Sequence, residues 1–242
     1  MAGLLDSLIE RRAAGRLGAR AAVLAVLAWT LAGCAAGASP AEVDRIAAAL
    51  GLETGMTVAD VGAGDGDFAV ELARLVGEEG RVIATEVDED LVEKLRDLAT
   101  SKGLANLSVV LGNQDDTGLE TGCCDAILVR LVYHHFQHPA PMRADLRAAL
   151  RAGGRIVVID ILPQENWRVV PGVPDRGGHG IPPEQLLEEM TGDGFELVAR
   201  FDDWGDEEER FCMVFLRRGA GGEEPADDGS AADGAAGEGP PG

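Results

Sequence analysis

The chain has 242 residues, of which 46% are hydrophobic and 4% aromatic, so its length and composition fit one domain of ordinary size with an aliphatic core. Lys and Arg total 21 against 42 Asp and Glu, which gives a formal net charge of −21. A surface of this charge repels a phosphate backbone, which excludes nucleic acid as a general partner.

The first 33 residues predict a secretory signal that is separate from the folded domain. Four arginines precede the apolar run AAVLAVLAWTLAG, which is shorter than the stretch of about 20 residues that a membrane-spanning helix needs. The sequence LAGC at residues 31–34 resembles the lipobox of bacterial lipoproteins. That resemblance implies a lipidated Cys34 and a protein anchored in the cell envelope. The alternative is a chance leader or a misplaced start codon, which leaves the protein in the cytoplasm.

Between residues 41 and 218, short apolar runs alternate with helical patterns. AEVDRIAAALGL follows Ser39 and Pro40, which are typical of a helix start. Five apolar runs follow, namely TVADVG, RVIATEV, LSVVLG, DAILVRLV and RIVVIDIL, and helical patterns lie between all neighbouring runs except LSVVLG and DAILVRLV. Strands that alternate with helices predict a mostly parallel sheet with helices on both faces.

The alternation ends after Pro163. The next 20 residues are rich in Gly and Pro and predict a long loop over the sheet. A helix at PEQLLEEMTGDGF is followed by ELVARFDDW and RFCMVFLRR, whose short connection favours an antiparallel hairpin at one sheet edge. The predicted fold class is therefore α/β, a doubly wound, seven-stranded sheet with an antiparallel last strand. Residues 219–242 carry acids but no large apolar side chain and predict a disordered tail.

The segment VADVGAGDGDF at residues 58–68 predicts a ligand-binding loop. A strand that ends in glycines before a helix brings backbone N–H groups to the carboxyl edge of the sheet. The loop lacks the Lys and Ser or Thr of a phosphate-binding P-loop, and Asp67 stands where a dinucleotide-binding loop has its third glycine. Its acids favour a ligand with positive charge.

This pattern resembles motif I of the Rossmann-like S-adenosylmethionine-dependent methyltransferases. Glu86 lies 20 residues beyond Gly66, where the family places an acid that binds both ribose hydroxyls. GNQDDTGL resembles the segment that meets the adenine, with Asn113 and Gln114 at the contact positions. LRAALRAGGRIVVID resembles the family's helix, glycine turn and fifth strand.

The resemblance implies S-adenosylmethionine as cofactor and transfer of its methyl group to an unidentified small-molecule or lipid-like acceptor. A catalytically silent lipoprotein that only binds the ligand is the alternative. The implied cofactor-binding residues are Asp60, Gly62, Ala63, Gly64, Gly66, Glu86, Val87, Asn113, Gln114 and Arg130.

The acceptor is expected beside the end of the fourth strand, where Tyr133, His134 and His135 are the catalytic candidates. His135 could act as a base, because an unperturbed imidazole titrates near neutral pH. The alternative is that this segment packs the loop against the cofactor. His138 and His179 add no recognised metal-binding spacing, so the sequence predicts no metal site. His179 is expected in a turn or a substrate lid.

Overall fold

The computed structural model describes residues 38–165, 171–205 and 209–219. The predicted signal with Cys34 and residues 220–242 of the predicted tail lie outside these ranges, as do five residues of the long loop. Within the described ranges, none of the helices combines the length and the apolar character needed to cross a membrane.

The described residues form seven strands, five α-helices and one short 3-10 helix. The strands are β1 (Thr57–Val61), β2 (Arg81–Glu86), β3 (Leu107–Leu111), β4 (Cys124–Arg130), β5 (Leu150–Ile161), β6 (Phe195–Phe201) and β7 (Arg210–Arg217). The helices are α1 (Pro40–Leu50), α2 (Asp67–Val76), α3 (Glu89–Ser101), α4 (Pro139–Ala149) and α5 (Pro183–Gly192), with the 3-10 helix at Tyr133–His135.

The strands form a single sheet in the order β3-β2-β1-β4-β5-β7-β6. Strands β1 to β5 pair in parallel, whereas β7 is antiparallel to both β5 and β6. The predicted doubly wound fold with an antiparallel last strand is confirmed. Because the strand order reverses between β1 and β4, a crevice forms at their carboxyl ends, which is where such sheets bind ligands.

Local sequence accounts for the helix starts. The Ser39 hydroxyl accepts a hydrogen bond from the Glu42 amide at 3.2 Å, and Pro40 occupies the first turn of α1. The Asp88 carboxylate likewise accepts from the amides of Asp90 and Leu91 at the start of α3.

One boundary differs from the sequence prediction. The helical pattern was expected to run to the glycine pair at 153–154, but α4 ends at Ala149. Leu150 has an extended conformation and pairs with Cys124, so the residues around the glycines begin strand β5. Pairing with the neighbouring strand thus outweighs the helical preference of this segment.

Apolar side chains cover both faces of the sheet. Helices α1, α2 and α3 pack on one face, through residues such as Ile46, Leu72 and Leu95. Helices α4 and α5 pack on the other, through Leu146 and Leu186. Each such aliphatic side chain contributes about 1.5–3 kcal/mol when fully buried, so two rigid layers hold the strand ends that carry the site.

Candidate active site

The glycine loop connects β1 to α2 and lies against the end of β2. The amides of Gly62 and Ala63 both donate to the Thr85 carbonyl, at 3.0 and 3.1 Å. Gly62 has a φ of +70°, and a Cβ built there would lie 2.7 Å from Val132 Cγ2. Only glycine therefore combines this backbone conformation with so close an approach. Main-chain hydrogen bonds hold the loop against the end of β2. At Gly64 the loop is open, because a Cβ built there would meet no atom within 4 Å.

Glu86, at the end of β2, is fixed by two backbone hydrogen bonds. Its Oε2 accepts from the Gly64 amide at 3.1 Å, and its Oε1 accepts from the Val87 amide at 2.8 Å. An ionised carboxylate has about four acceptor positions, so roughly half of its capacity remains for a ligand. The carboxylate can thus bind a pair of hydroxyls without rearranging.

Asp60 is a buried acid in β1, with a relative exposure of 3%. Its Oδ2 has no hydrogen-bond partner among the described residues. Burial raises the pKa of this carboxyl to about 7, while the nearby Arg130 opposes the shift and Glu86 adds to it. A buried acceptor without a partner is costly in the free protein, and a cationic ligand group would satisfy it.

Arg130 ends strand β4 on the side of the crevice near Asp60. Its Nε donates to Glu42 in α1 at 2.9 Å, and its guanidinium lies 4.3 Å from the centre of the Phe68 ring. These contacts fix the guanidinium between two helices. Arg130 therefore supplies positive charge next to Asp60.

A cavity of about 230 Å³ opens at the carboxyl edge of the sheet beside Glu86. Five of the predicted cofactor-binding residues do not line it, namely Asp60, Ala63, Gly64, Gly66 and Arg130. Six of the predicted site residues line it, namely Gly62, Glu86, Val87, Asn113, Gln114 and His135. Apolar side chains of Val61, Val132, Phe136 and Met142 form much of the remaining wall. The structure therefore brings the predicted ribose, adenine and acceptor segments to one cavity.

The segment predicted to contact the adenine is ordered by hydrogen bonds within it. Asn113 Oδ1 accepts from the Asp115 amide at 2.9 Å, and the Asn113 amide donates to the Asp116 carbonyl at 2.7 Å. Asp115 also pairs with His138 at 2.5 Å on the exposed surface. His138 is thus separate from the other histidines of its segment.

Tyr133 is a buried structural residue and does not line the cavity. Its side chain is fully buried, and its hydroxyl donates to Glu189 Oε2 at 2.6 Å and accepts from Arg143 at 3.1 Å. Burial and the contact with Glu189 raise the pKa of this hydroxyl. The geometry places Tyr133 in a bridge between β4 and α5, away from the predicted catalytic position.

His134 forms a buried chain with two residues that sequence reasoning did not assign to it. Its Nδ1 lies 2.5 Å from Asp160 Oδ1, and its Nε2 lies 3.1 Å from Nε2 of His179. Asp160 ends the buried part of strand β5, and the signal that could have revealed it is a lone acid in the apolar run RIVVIDIL. His179 comes from the long loop, whose path no local pattern predicts.

His135 is the catalytic candidate that reaches the cavity. Its ring centre lies 4.0 Å from that of His134 and 5.1 Å from that of His179. Burial lowers its pKa to about 4, with further contributions from the two neighbouring histidines. The ring is therefore neutral near pH 7, and its nitrogen lone pair is available to a substrate or a ligand.

The fold and the cavity together define a class I methyltransferase architecture. The structure is similar to a SAM-dependent methyltransferase from Aquifex aeolicus, with a TM-score of 0.61 and 22% identity over 72% of this chain and 89% of that one. It is also similar to the [4+2]-cyclase SpnF, with a TM-score of 0.60 and 18% identity over 73% and 80% of the two chains. At such identities the likeness shows the shared fold.

A family model described as a methyltransferase domain matches residues 52–179, and the chain belongs to this family. Family and fold imply S-adenosylmethionine as the cofactor. The ubiquinone/menaquinone biosynthesis C-methyltransferase UbiE of Marinomonas sp. is 26% identical over 117 residues, 48% of this chain and 47% of that protein. An uncharacterized 37.1 kDa protein in transposon TN4556 of Streptomyces fradiae is 34% identical over 46% of this chain and 31% of its own length. The chain thus spans about half or less of these relatives.

The residues present fit that cofactor. Asp60 offers an unsatisfied acid for the ammonium group, Glu86 offers free acceptor positions for the ribose, and the acidic loop suits a sulfonium cation. Asn113 and Gln114 line the same cavity as Glu86.

Gly64 allows a test of where the cofactor lies. It has a φ of +54°, and a Cβ built there meets no atom within 4 Å. Gly64→Ala should lower the unfolding free energy by about 1 kcal/mol through backbone strain, and a methyl group over the loop should weaken S-adenosylmethionine binding at least about tenfold. Calorimetric titration and denaturant unfolding measure the two effects.

Gly103 provides the matched control, because it has a φ of +67° and equally open surroundings far from the cavity. Gly103→Ala should lose similar stability and keep full affinity. Equal affinities in the two variants would show that the space over Gly64 is not used.

Proposed function

We propose that the protein is an S-adenosylmethionine-dependent methyltransferase that acts on a small-molecule or lipid-like acceptor. The observation that carries the proposal is the single cavity shared by Glu86, Asn113 and His135. This cavity connects the residues proposed to bind the ribose and the adenine with the expected acceptor position. A bound donor would therefore present its methyl group toward His135.

Methyl transfer from a sulfonium is an in-line displacement, and the bound cofactor supplies the activated methyl group. The protein then contributes alignment of donor and acceptor and exclusion of water. Glu86 and the glycine loop orient the donor, and Val132 and Phe136 shield the cavity with apolar surface. A neutral His135 can accept a hydrogen bond or a proton from an acceptor that carries one.

Three features support a small or lipid-like acceptor. The cavity wall beyond the cofactor residues is largely apolar, with Val61 and Met142 among its members. The net charge of −21 disfavours nucleic acid. A relative is named as a C-methyltransferase of ubiquinone and menaquinone biosynthesis, which makes quinones and quinols suitable first acceptors for testing.

Turnover of radiolabelled S-adenosylmethionine tests this proposal. Full-length protein should transfer label to one member of a panel of quinols, phenols and lipid headgroups, and Glu86→Ala should abolish the transfer. Cofactor binding without transfer to any acceptor in the panel would favour the alternative of a silent ligand-binding lipoprotein.

We also propose that Cys34 anchors the protein to a membrane of the cell envelope, on the strength of the LAGC sequence. Cells grown with labelled palmitate should yield a labelled protein in the membrane fraction, and Cys34→Ser should remove the label and release the protein. Cys212→Ser is the control, because that thiol is buried in β7. An unlabelled wild-type protein in the cytoplasmic fraction would contradict the anchor.

A further inference from the structure

We propose that His134, His135 and His179 bind one divalent transition-metal ion at the edge of the cavity, with Zn²⁺ as the ion to be tested. One ligand nitrogen from each ring lies within 4.8 Å of the other two. His134 and His135 follow β4, whereas His179 comes from the loop after β5. The site thus joins two segments that are 45 residues apart.

The spacing of the nitrogens suits a tetrahedral ion. Two imidazole nitrogens bound at about 2.0–2.1 Å in a tetrahedron are about 3.3 Å apart. The Nε2 atoms of His134 and His179 are 3.1 Å apart. One ring nitrogen of His135 lies within 4.8 Å of the ligand nitrogens of His134 and His179, so binding of one ion would draw it in to about 3.3 Å from them.

Asp160 orients the first ligand. Its Oδ1 lies 2.5 Å from Nδ1 of His134, and its Oδ2 accepts from the His134 amide at 3.1 Å. When the carboxylate accepts a hydrogen bond from Nδ1–H, the lone pair of Nε2 faces His179. A carboxylate behind a ligating imidazole fixes the tautomer and the orientation of the ring in many metal sites.

The loop that carries His179 is held in place by its backbone. Its amide donates to the Gln164 carbonyl at 3.2 Å, and its carbonyl accepts from the Gln164 amide at 2.9 Å. A Cβ at Gly180 would lie 2.6 Å from the Leu162 carbonyl oxygen, so the chain passes directly over the end of β5. A ring positioned by such contacts is a preorganised ligand.

The ligand set and its surroundings define the type of site. Three imidazoles suit Zn²⁺, Cu²⁺, Ni²⁺ or Fe²⁺ better than Mg²⁺ or Ca²⁺. Three protein ligands leave a fourth position of the tetrahedron open, as in catalytic zinc sites. Because His135 also lines the cavity, that position would face the space where an acceptor heteroatom can bind, and the bound ion would then take the place of the free His135 nitrogen as the group that contacts the acceptor.

The competing interpretation is a hydrogen bond between the two imidazoles, with one Nε2–H donating to the other nitrogen. It explains the contact between His134 and His179 but gives no role to the convergence of His135 on the same point. The two interpretations differ in whether the protein binds metal in a fixed ratio.

Titration of metal-free full-length protein with Co²⁺ and Zn²⁺ tests the proposal. We expect one equivalent to bind, with the absorption of four-coordinate Co²⁺ and no thiolate charge-transfer band. His179→Ala should weaken binding at least about 100-fold, and Asp160→Asn about 10-fold to 100-fold as a positioning residue. His138→Ala is the matched control, because His138 pairs with the exposed Asp115, and it should bind metal as the wild type does.

Thermal unfolding and S-adenosylhomocysteine binding show whether each variant is folded. His179→Ala is the deciding variant, because His179 lies on the loop after β5, whereas His134 is buried beside Asp160. Equal metal affinity in the wild type, His179→Ala and His138→Ala, or no stoichiometric binding to the wild type, would overturn the site. Because methyl-donor binding is measured separately, failure here leaves the proposed methyl transfer untouched.

Discussion

Glu86→Ala is expected to lower the affinity for S-adenosylmethionine by about 100-fold or more. Each hydrogen bond between a hydroxyl and a carboxylate contributes about 1.5–3 kcal/mol, and the Glu86 carboxylate has free acceptor positions for two of them. The variant also removes the acceptor of the Gly64 amide, which loosens the loop. Calorimetric titration with S-adenosylmethionine and S-adenosylhomocysteine measures the loss.

Two further variants separate the loss of ligand hydrogen bonds from the loosening of the loop and from the loss of charge. Glu86→Gln keeps one acceptor oxygen for the Gly64 amide and should lose less affinity than the alanine variant. Glu93→Ala, on the exposed side of α3, removes the same charge elsewhere and should bind normally. An alanine variant at Glu86 with wild-type affinity would refute the assignment of the ribose contact.

Asp60→Asn is expected to weaken cofactor binding and to remove its pH dependence. The pKa of Asp60 is raised to about 7 by burial, so the acid is mostly ionised at pH 8 and mostly protonated at pH 6. A ligand ammonium group pairs with the ionised form, and the wild-type affinity for S-adenosylhomocysteine should therefore fall about tenfold between pH 8 and pH 6. The variant should bind weakly at both values.

The same substitution should stabilise the ligand-free protein at high pH. An acid whose pKa is raised in the folded state binds its proton more tightly there, so stability falls as pH rises from about 4 toward 7. Asp60→Asn removes the buried charge and should raise the unfolding free energy at pH 8 by about 1–3 kcal/mol, with the difference vanishing near pH 4. Urea unfolding at the two pH values measures it.

Asp65→Asn is the matched control, because Asp65 lies on the exposed side of the same loop. Asp65→Asn should change neither the unfolding free energy nor the pH dependence of that free energy and of ligand affinity. A variant at Asp60 that loses stability at pH 8 would show that the carboxylate is satisfied in the free protein and serves the fold.

Much of the fold follows from the order of apolar runs and helix signals. Five apolar runs, most of them separated by helical patterns, predict the parallel strands, and the short connection before Arg210 predicts the hairpin. The predicted helix end at the glycine pair 153–154 was wrong, because the pairing of Leu150 with Cys124 is a contact between distant segments. No local propensity contains that information.

The cofactor side of the site is predictable for a related reason. Gly62, Gly64 and Glu86 stand at strand ends, and parallel strands bring their carboxyl ends to one edge. Whether these residues contact the cofactor remains a prediction, but the convergence of Gly62 and Glu86 on one cavity follows from the parallel sheet. The parallel sheet does not determine, however, which of the residues that follow β4 face the cavity and which face the core.

The histidine cluster shows why the rest of the site could not be predicted. Leu131 has a φ of +56°, an uncommon conformation for a large side chain, and this turn places Tyr133 in the core and His135 at the cavity. His179 arrives on a loop rich in glycine and proline, held by main-chain contacts with Gln164. These placements depend on tertiary contacts. The sequence analysis found no metal-binding spacing among the four histidines and did not predict that three of them meet.

A crystal structure with S-adenosylhomocysteine bound to the full-length protein tests the central claim most directly. We expect the ribose hydroxyls within hydrogen-bond distance of the Glu86 carboxylate, the amino group next to Asp60 and the adenine beside Asn113. A nucleoside bound elsewhere, or an empty cavity at saturating ligand, would contradict the account.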